Sequence, residues 1–170
     1  VRWFQFGLFS PIMRLHGSRL RTKNQPEPNP GIIERSGGPN EIWCFGDDNY
    51  MTIKKLIETR EKLKPYISKY MDIASKTGSP IMRPMFYDFH DDEVCYTLED
   101  QYMFGEDILF APIMEKGQIQ RKVYLPKGQW KSVIDGKTYE GKQEIEVHAE
   151  LNQYIAFVKE GSDVWEVFEG

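Results

Sequence analysis

The fold of this chain is decided near its N-terminus by the stretch RWFQFGLFSPIMRLHG, residues 2–17. Large apolar side chains recur on every side of this stretch, which is typical of an element that is buried all round. Pro11 interrupts the run, because proline has no backbone N–H and restricts the conformation of its neighbours. The stretch therefore predicts a short apolar helix that turns into a strand, and the strand ends at Gly17.

A long irregular segment and a divided helix are predicted to follow. Residues 17–49 are rich in Pro, Gly, Asn and Arg, and loops of this length usually have a function or are mobile. Each of the polar residues 47–49 could provide the N-cap of the next helix. Pro65 lies within the helical apolar pattern and is expected to kink or divide it. Gly78, followed closely by Pro80, predicts the end of the helix.

The middle of the chain predicts a strand, an acidic loop and a second short helix. The apolar run at residues 80–89 has the length of a strand, although Pro84 cannot donate to a β-ladder. This run ends in the polar cluster HDDE, residues 90–93. A short helix is expected over residues 97–104.

From residue 108 onwards apolar and polar residues alternate and tight turns recur, a pattern typical of antiparallel strands. Residues 126–128 are a turn sequence, and Asp135-Gly136 predicts a two-residue hairpin. The predicted strands cover residues 108–113, 120–125, 130–134, 144–147 and 154–158. We therefore predict an α/β unit over residues 1–107 and a small antiparallel β-sandwich over residues 108–170.

Composition excludes several classes of protein. The chain has 22 Lys and Arg against 26 Asp and Glu, a net charge of −4, so it lacks the basic stripe of a nucleic-acid-binding protein. It has no apolar run long enough to span a membrane. Cys44 and Cys95 are too few for a disulfide framework, and no CxxC or His-rich cluster suggests zinc. Two reduced thiols in a cytoplasmic protein are expected, with a single disulfide between them as the alternative.

Two places could carry chemistry, because α/β proteins place functional groups where strands end. One is Arg14 with His16: the histidine could donate to a hydroxyl or phosphate or act as a base, or it could be structural. The other is the acidic stretch at residues 88–93. It could supply paired acids or ligands for a cation, or it could be a solvated loop with a helix N-cap.

Aromatic residues are abundant, 23 of 170, and three of them lie in or beside the long loop. Trp43, Phe45 and Tyr50 could stack on the face of a sugar, or they could anchor the loop. The chain contains none of the motifs GxGxxG, GxxxxGK[ST], GxSxG and HExxH. The residues alone thus predict a fold class but not a reaction.

Four blocks of the sequence, in the same order, resemble glycoside hydrolase family 31, which includes α-glucosidases and α-xylosidases. Residues 2–17 resemble the segment that leads into the seventh strand of the family's (β/α)8 barrel. Residues 64–66 and 78–84 resemble the helix and the eighth strand that follow. Residues 101–112, QYMFGEDILFAP, resemble the passage to the C-terminal β-domain, and residues 124–130, YLPKGQW, resemble its first hairpin.

The resemblance implies that the chain forms the last two β/α units of a (β/α)8 TIM barrel followed by the proximal β-sandwich. The parent enzyme would hydrolyse terminal non-reducing α-linked glucose or xylose with retention, using an Asp nucleophile and an Asp acid/base. It would need no metal or other cofactor. Both aspartates precede this segment in the family, so the chain alone is expected to be inactive.

The resemblance also implies substrate-binding residues and partners. His16 matches the histidine of the family's Arg-x-His motif, which hydrogen-bonds a hydroxyl of the sugar in the −1 subsite. Arg14 matches the arginine of that motif and is expected to brace the site. The implied partners are an oligosaccharide substrate and the remainder of the catalytic barrel. His90 stands where the family commonly has proline, so no role is carried over to it.

Two further interpretations stay open. Open strand edges and an uncovered helix face predict a poorly supported α/β part or self-association of the chain. The alternative function is a non-catalytic carbohydrate-binding or interaction module that uses Tyr124, Trp130 and Trp165, although Trp130 could instead be a core residue. A domain without any role in sugar chemistry is the third interpretation.

Overall fold

The computed structural model describes residues 1–15 and 40–169. Four α-helices occur in this part of the chain: α1 (Arg2–Leu8), α2 (Asp47–Lys62), α3 (Lys64–Thr77) and α4 (Met85–Asp88). Three 3-10 helices cover Ile42–Phe45, Glu93–Tyr96 and Asp163–Val167. The predicted helix near the N-terminus is confirmed as α1. The strand expected after it is not formed over residues 11–15, because no strand in the described part lies alongside to pair with this backbone.

Proline and glycine divide and end the long helical segment as predicted. Pro65 lies in the first turn of α3, so the chain breaks at Leu63 between α2 and α3. Gly78 adopts a left-handed conformation with φ 78°, and its N–H donates to the carbonyl of Ala74 at 2.9 Å. The N-cap of α2 is Gly46, not one of residues 47–49. The two acidic residues at 47 and 48 instead lie in the first turn. Their negative charges interact favourably there with the positive end of the helix dipole.

The described residues contain eight strands. They are β1 (Met82–Pro84), β2 (Tyr102–Phe104), β3 (Ile108–Phe110), β4 (Gln120–Leu125), β5 (Gln129–Ser132), β6 (Thr138–Glu140), β7 (Gln143–His148) and β8 (Ala156–Lys159). The single strand predicted over residues 80–89 is wrong beyond Pro84, since residues 85–88 form α4. The helix predicted over residues 97–104 is also wrong, because residues 102–104 pair with β1 and β3.

Six strands form one antiparallel sheet in the order β1-β2-β3-β8-β5-β6, and β4 pairs with β7 in a second sheet. Pro84 lies in the edge strand β1, where its missing N–H costs least. Asp135-Gly136 does lie in a hairpin, but five residues, 133–137, join β5 to β6. The turn at residues 126–128 connects β4 to β5 in different sheets, so it forms no hairpin.

The six-stranded sheet is covered on both faces. Alternate residues of β2, β3 and β8, such as Phe104 and Ile108, pack with the helices, in a cluster that contains Leu63 and Ile67. The residues between them, such as Leu109, face a second cluster together with the β4–β7 pair. Because side chains alternate across a strand, central strands with two covered faces are apolar throughout.

The predicted domain boundary at residue 107 lies between β2 and β3, which pair with each other. The sheet therefore continues across that point and also includes β1 from the earlier part of the chain. The division at residue 107 stays a prediction.

Two tyrosines of α3 hold the turn between β2 and β3. The Tyr66 hydroxyl donates to the carbonyl of Phe104 at 3.0 Å and accepts from the N–H of Asp107 at 3.2 Å. The Tyr70 hydroxyl accepts from the N–H of Glu106 at 3.1 Å. Gly105 lies between these contacts with φ 65°. A Cβ atom at this position would overlap the Tyr66 hydroxyl, so the turn requires glycine.

The substitution Gly105→Ala should lower the free energy of unfolding by about 3 kcal/mol, because it adds a clash to an unfavourable left-handed backbone. Gly117→Ala is the matched control, since Gly117 has φ 80° and open space around it. The control variant should lose only about 1 kcal/mol of stability, because its left-handed backbone is unfavourable for alanine but no clash is added. Urea unfolding of both variants measures the difference, and equal losses would contradict the role of the tyrosine contacts.

Alkaline pH should destabilise the chain through these tyrosines. Burial raises the pKa of Tyr66 well above its usual value, and burial also raises the pKa of Tyr70. In the unfolded chain these tyrosines lose their protons at about pH 10, whereas in the folded chain Tyr66 and Tyr70 keep them. Stability should therefore be constant with respect to these groups below about pH 9 and should fall as the pH rises above about 10.

The variant Tyr66→Phe tests this pH dependence. At neutral pH it should be less stable by about 2 kcal/mol, since two buried backbone groups lose their hydrogen-bond partner. Above about pH 10 the stabilities of the two proteins should converge, because the variant has one titrating group fewer. A stability difference that stays constant from neutral pH to about pH 11 would refute this assignment.

Candidate functional site

The segment that follows α1 contains Arg14, the first of the two predicted substrate-binding residues. Arg14 is exposed and lines a cavity of about 280 Å³ with Leu15, Asn49 and the aromatic rings of Trp3 and Phe45. His16 lies outside the described residues. The predicted roles of Arg14 and His16 therefore stay predictions.

A single side chain of α2 holds the backbone that leads to Arg14. The guanidinium of Arg60 donates to the carbonyls of Leu8 and Ser10, both at 2.7 Å, and to the carbonyl of Pro11 at 2.9 Å. The hydroxyl of Tyr102 in β2 donates to the carbonyl of Phe9 at 2.9 Å. We call these hydrogen bonds of Arg60 and Tyr102 to the carbonyls of residues 8–11 the backbone anchor.

Side chains of α1 itself bind the loop between β7 and β8. Arg2 donates to the carbonyl of Gln153 at 2.7 Å and to that of Ala149 at 2.8 Å. The buried amide of Gln5 donates to the carbonyls of Leu151 at 2.8 Å and Gln153 at 3.0 Å. Helix α1 is thus bound to the β-domain loop by its own side chains and is held at its end by the backbone anchor.

The aromatic residues beside the long loop occupy different environments. Trp43 is two-thirds exposed, whereas the side chain of Phe45 is 37% exposed. Both belong to the 3-10 helix Ile42–Phe45, which contacts α2. Phe45 lines the same cavity as Arg14, and Tyr50 is half-buried in α2. The choice between sugar stacking and anchoring stays open for these residues.

The acidic stretch at residues 88–93 has structural partners. Asp88 forms an ion pair with Arg83 at 2.9 Å, and the Arg83 side chain is only 2% exposed. Arg83 also reaches Glu106 at 3.5 Å. Burial raises the pKa of the Asp88 carboxyl, and the nearby Arg83 charge opposes this shift.

Asp92 also has a structural role, since it accepts from the hydroxyl of Tyr124 at 2.8 Å and from the N–H of Val94 at 3.2 Å. The second of these contacts caps the following 3-10 helix. Within the described ranges no group of three or more His, Cys, Asp or Glu side chains is arranged to hold a metal ion. The structure therefore favours the interpretation of this stretch as a structural loop.

The aromatic residues that were considered for a binding module do not form an exposed surface. Trp130 is completely buried, and its indole N–H donates to the carbonyl of Pro126 at 2.7 Å. Trp130 is therefore a core residue, which was one of the two interpretations left open for it, and it is not available to bind a sugar. Trp165 is half-buried beneath Lys131, whose ammonium lies 4.0 Å from the ring centre.

Sequence reasoning missed Arg2, Gln5, Arg60 and the tyrosines of α3. One signal was available for Arg60. It lies four residues after Leu56 and three before Leu63, on the buried stripe of α2. A cation at a core-facing position predicts a buried hydrogen-bonding partner, although the sequence does not show which carbonyls these are.

No helix in the described part of the chain has both the length and the apolar character needed to cross a membrane. The helical layer and the antiparallel sheets are those of a glycoside hydrolase, at the end of its TIM barrel and in the β-domain that follows.

Two family models match in sequence order. The model of the glycosyl hydrolases family 31 TIM-barrel domain matches residues 1–70, and that of the glycosyl hydrolase family 31 C-terminal domain matches residues 78–163. The chain belongs to glycosyl hydrolase family 31. This confirms the resemblance, together with the predicted fold class of a barrel end followed by a β-sandwich.

Curated relatives and solved structures agree with the family models. Alpha-glucosidase 2 of Bacillus thermoamyloliquefaciens is 33% identical over 96% of this chain and 19% of its own length. An alpha-xylosidase of Saccharolobus solfataricus is 35% identical over 95% of this chain and 20% of its own length. The structure of a family 31 alpha-xylosidase from a soil metagenome, complexed with xylose, has a TM-score of 0.89 and 41% identity over 99% of this chain and 25% of that one. The chain thus spans about a fifth to a quarter of the length of these proteins.

The structural role of Asp88 can be tested against Glu106, since both acids face the same Arg83. Asp88→Asn should lower the free energy of unfolding by about 3 kcal/mol, because it leaves a buried guanidinium without its closest charge partner. Glu106→Gln should cost less than about 1 kcal/mol, since this carboxylate is 58% exposed and lies farther away. Thermal unfolding measures the stability of both variants. An Asp88→Asn variant as stable as the wild type would show that the carboxylate has no structural role.

Proposed function

We propose that this chain supplies the end of the catalytic barrel and the adjoining β-domain of a retaining α-glycosidase. The enzyme hydrolyses terminal non-reducing α-linked glucose or xylose. The observation that carries the proposal is the similarity, over 99% of this chain, to an alpha-xylosidase whose structure contains xylose. Relatives named alpha-glucosidase and alpha-xylosidase cover nearly as much of the chain, so both sugars belong to the proposal.

In this proposal the chain contributes sugar binding and not the reacting carboxylates. His16 donates a hydrogen bond to a hydroxyl of the sugar in the −1 subsite, and this bond strengthens as the oxocarbenium-like transition state forms. Arg14 braces the subsite from a position two residues earlier, at the edge of the cavity that it lines. The aspartate nucleophile and the aspartate acid/base come from preceding segments of the barrel. The reaction needs no metal or other cofactor.

The remainder of the barrel is the partner that this chain requires. Trp3 is 84% exposed and Ile12 is 77% exposed, although both lie in the apolar N-terminal stretch. Exposed rings and aliphatic side chains on neighbouring elements are typical of a surface that another structure covers. We propose that preceding barrel segments cover them, that residues 1–107 belong to the barrel, and that residues 108–170 form the β-domain. When those segments are absent, we expect copies of the chain to associate and cover the same apolar side chains.

A cytoplasmic location is part of the same proposal. Cys44 and Cys95 form no disulfide, and burial raises the pKa of the Cys95 thiol to about 11. A buried thiol of this kind is unreactive and stays reduced in the cytoplasm.

Activity measurements on the chain alone and on the completed barrel test the proposal. The purified chain should release no aryl group from an aryl α-glucoside or α-xyloside. Co-produced with the preceding segments of a family 31 barrel, it should restore hydrolysis. In the completed enzyme, His16→Ala should lower kcat/KM about 100-fold, because a hydrogen bond that strengthens in the transition state is lost.

His148→Ala is the matched control, since His148 is exposed in β7 and its ring, among the residues that the structure describes, contacts the exposed carboxylate of Glu150. This variant should keep normal activity. Turnover by the chain alone, or equal effects of the two histidine substitutions, would contradict the proposal.

A further inference from the structure

The backbone anchor extends beyond the end of α1. The last helical residue is Leu8, so the bond from Arg60 to the Leu8 carbonyl satisfies an acceptor that the helix itself leaves without a partner. Ser10 and Pro11 lie outside the helix, and their carbonyls accept from the same guanidinium. Helix capping therefore explains only one of the three bonds. The other two determine the path of the chain after the helix.

Tyr102 completes this arrangement from a different layer of the structure. Its hydroxyl binds the Phe9 carbonyl from β2, while Arg60 approaches from α2. Every carbonyl from Leu8 to Pro11 thus accepts a hydrogen bond from a side chain at least 49 residues away in the sequence. A segment held at four successive carbonyls has little freedom in where its next residues lie.

The chemistry of the partners indicates that position, not charge pairing, is what Arg60 provides. Its hydrogen bonds within the described residues go to backbone carbonyls, and burial lowers the pKa of its guanidinium. A guanidinium presents five donors in a fixed planar arrangement, so it can bind several carbonyls in a defined geometry. Pro11 adds stiffness, because its ring fixes φ.

We propose that Arg60 and Tyr102 are positioning residues that place Arg14 by holding the backbone of residues 8–11. Arg14 is three residues beyond Pro11, within about 11 Å of extended chain. A displacement of the anchored backbone therefore displaces Arg14, which we propose to brace the sugar-binding subsite. This inference rests on the proposed function, since it assigns Arg60 and Tyr102 to the same site.

The test uses the completed enzyme with four variants: Arg60→Met, Arg60→Lys, Tyr102→Phe and, as control, Lys62→Met. Lys62 is exposed on the same helix and also loses a charge. A retaining enzyme forms a covalent glycosyl intermediate. A substrate analogue whose covalent intermediate is hydrolysed slowly therefore labels each competent active site, and the amount of label gives their number. All rates are then expressed per labelled site, which removes losses that come only from poor folding.

Arg60→Met should lower kcat/KM per labelled site by about 10- to 100-fold, because small misplacements of binding groups are costly. Arg60→Lys should recover part of this loss, Tyr102→Phe should show a smaller loss, and Lys62→Met should behave as the wild type. Unchanged kcat/KM per site in Arg60→Met overturns the inference. If Arg60→Met does not fold, unchanged values in both Arg60→Lys and Tyr102→Phe overturn it. A wild-type enzyme without turnover would instead refute the proposed function.

Hydrogen exchange on the completed enzyme gives a second measurement that does not depend on turnover. The amides of Phe9 and Ser10 bond to carbonyls in α1 at 3.2 and 3.1 Å, so they report on the anchored segment. Arg60→Met should reduce their protection while the amide of Ala111, which bonds to Ile155 in the sheet region, stays protected. Unchanged protection at Phe9 and Ser10 would also overturn the inference.

Discussion

The central constraint on this structure is that the six-stranded sheet must bury both of its faces at once. Ile108 and Phe110 of β3 pack with the helices, whereas Leu109 between them packs with the second sheet. Each layer therefore packs on the same central strands, β2, β3 and β8. Because burial of apolar surface is the main favourable term in folding, the layers stabilise one another.

Long-range hydrogen bonds from side chains to backbone groups connect these layers where regular structure ends. Arg2 and Gln5 bind carbonyls of the β7–β8 loop, Tyr66 binds the β2–β3 turn, and Arg60 binds the segment after α1. Buried backbone groups outside helices and strands need partners, and here the partners come from a different layer. This arrangement holds the backbone of residues 8–11 through groups that lie far from it in the sequence.

An element could be predicted from the sequence where its residues follow a clear apolar pattern, and not where its structure depends on distant partners. Strand β4 was predicted to the residue, since its alternating pattern reflects a strand with one buried face. The run at residues 80–89 has no clear period, so the change from β1 to α4 at Pro84 could not be read from it. Residues 102–104 became a strand because β1 and β3 flank them, which no local pattern reveals. For the candidate site, the motif around Arg14 was recognisable, whereas the residues that anchor it were not.

By itself the sequence determined the break at Pro65, the end of α3 at Gly78, the alternating strands of the β-domain and membership of family 31. These features depend on local backbone restrictions and on residue patterns that the chain carries at each position. Only the tertiary structure decided that β1 joins the sheet of the later strands, that Trp130 is buried, and that Arg60 and Tyr102 bind neighbouring carbonyls. Those outcomes depend on which distant segments meet, and that choice is made by packing of the whole molecule and not by any short stretch of residues.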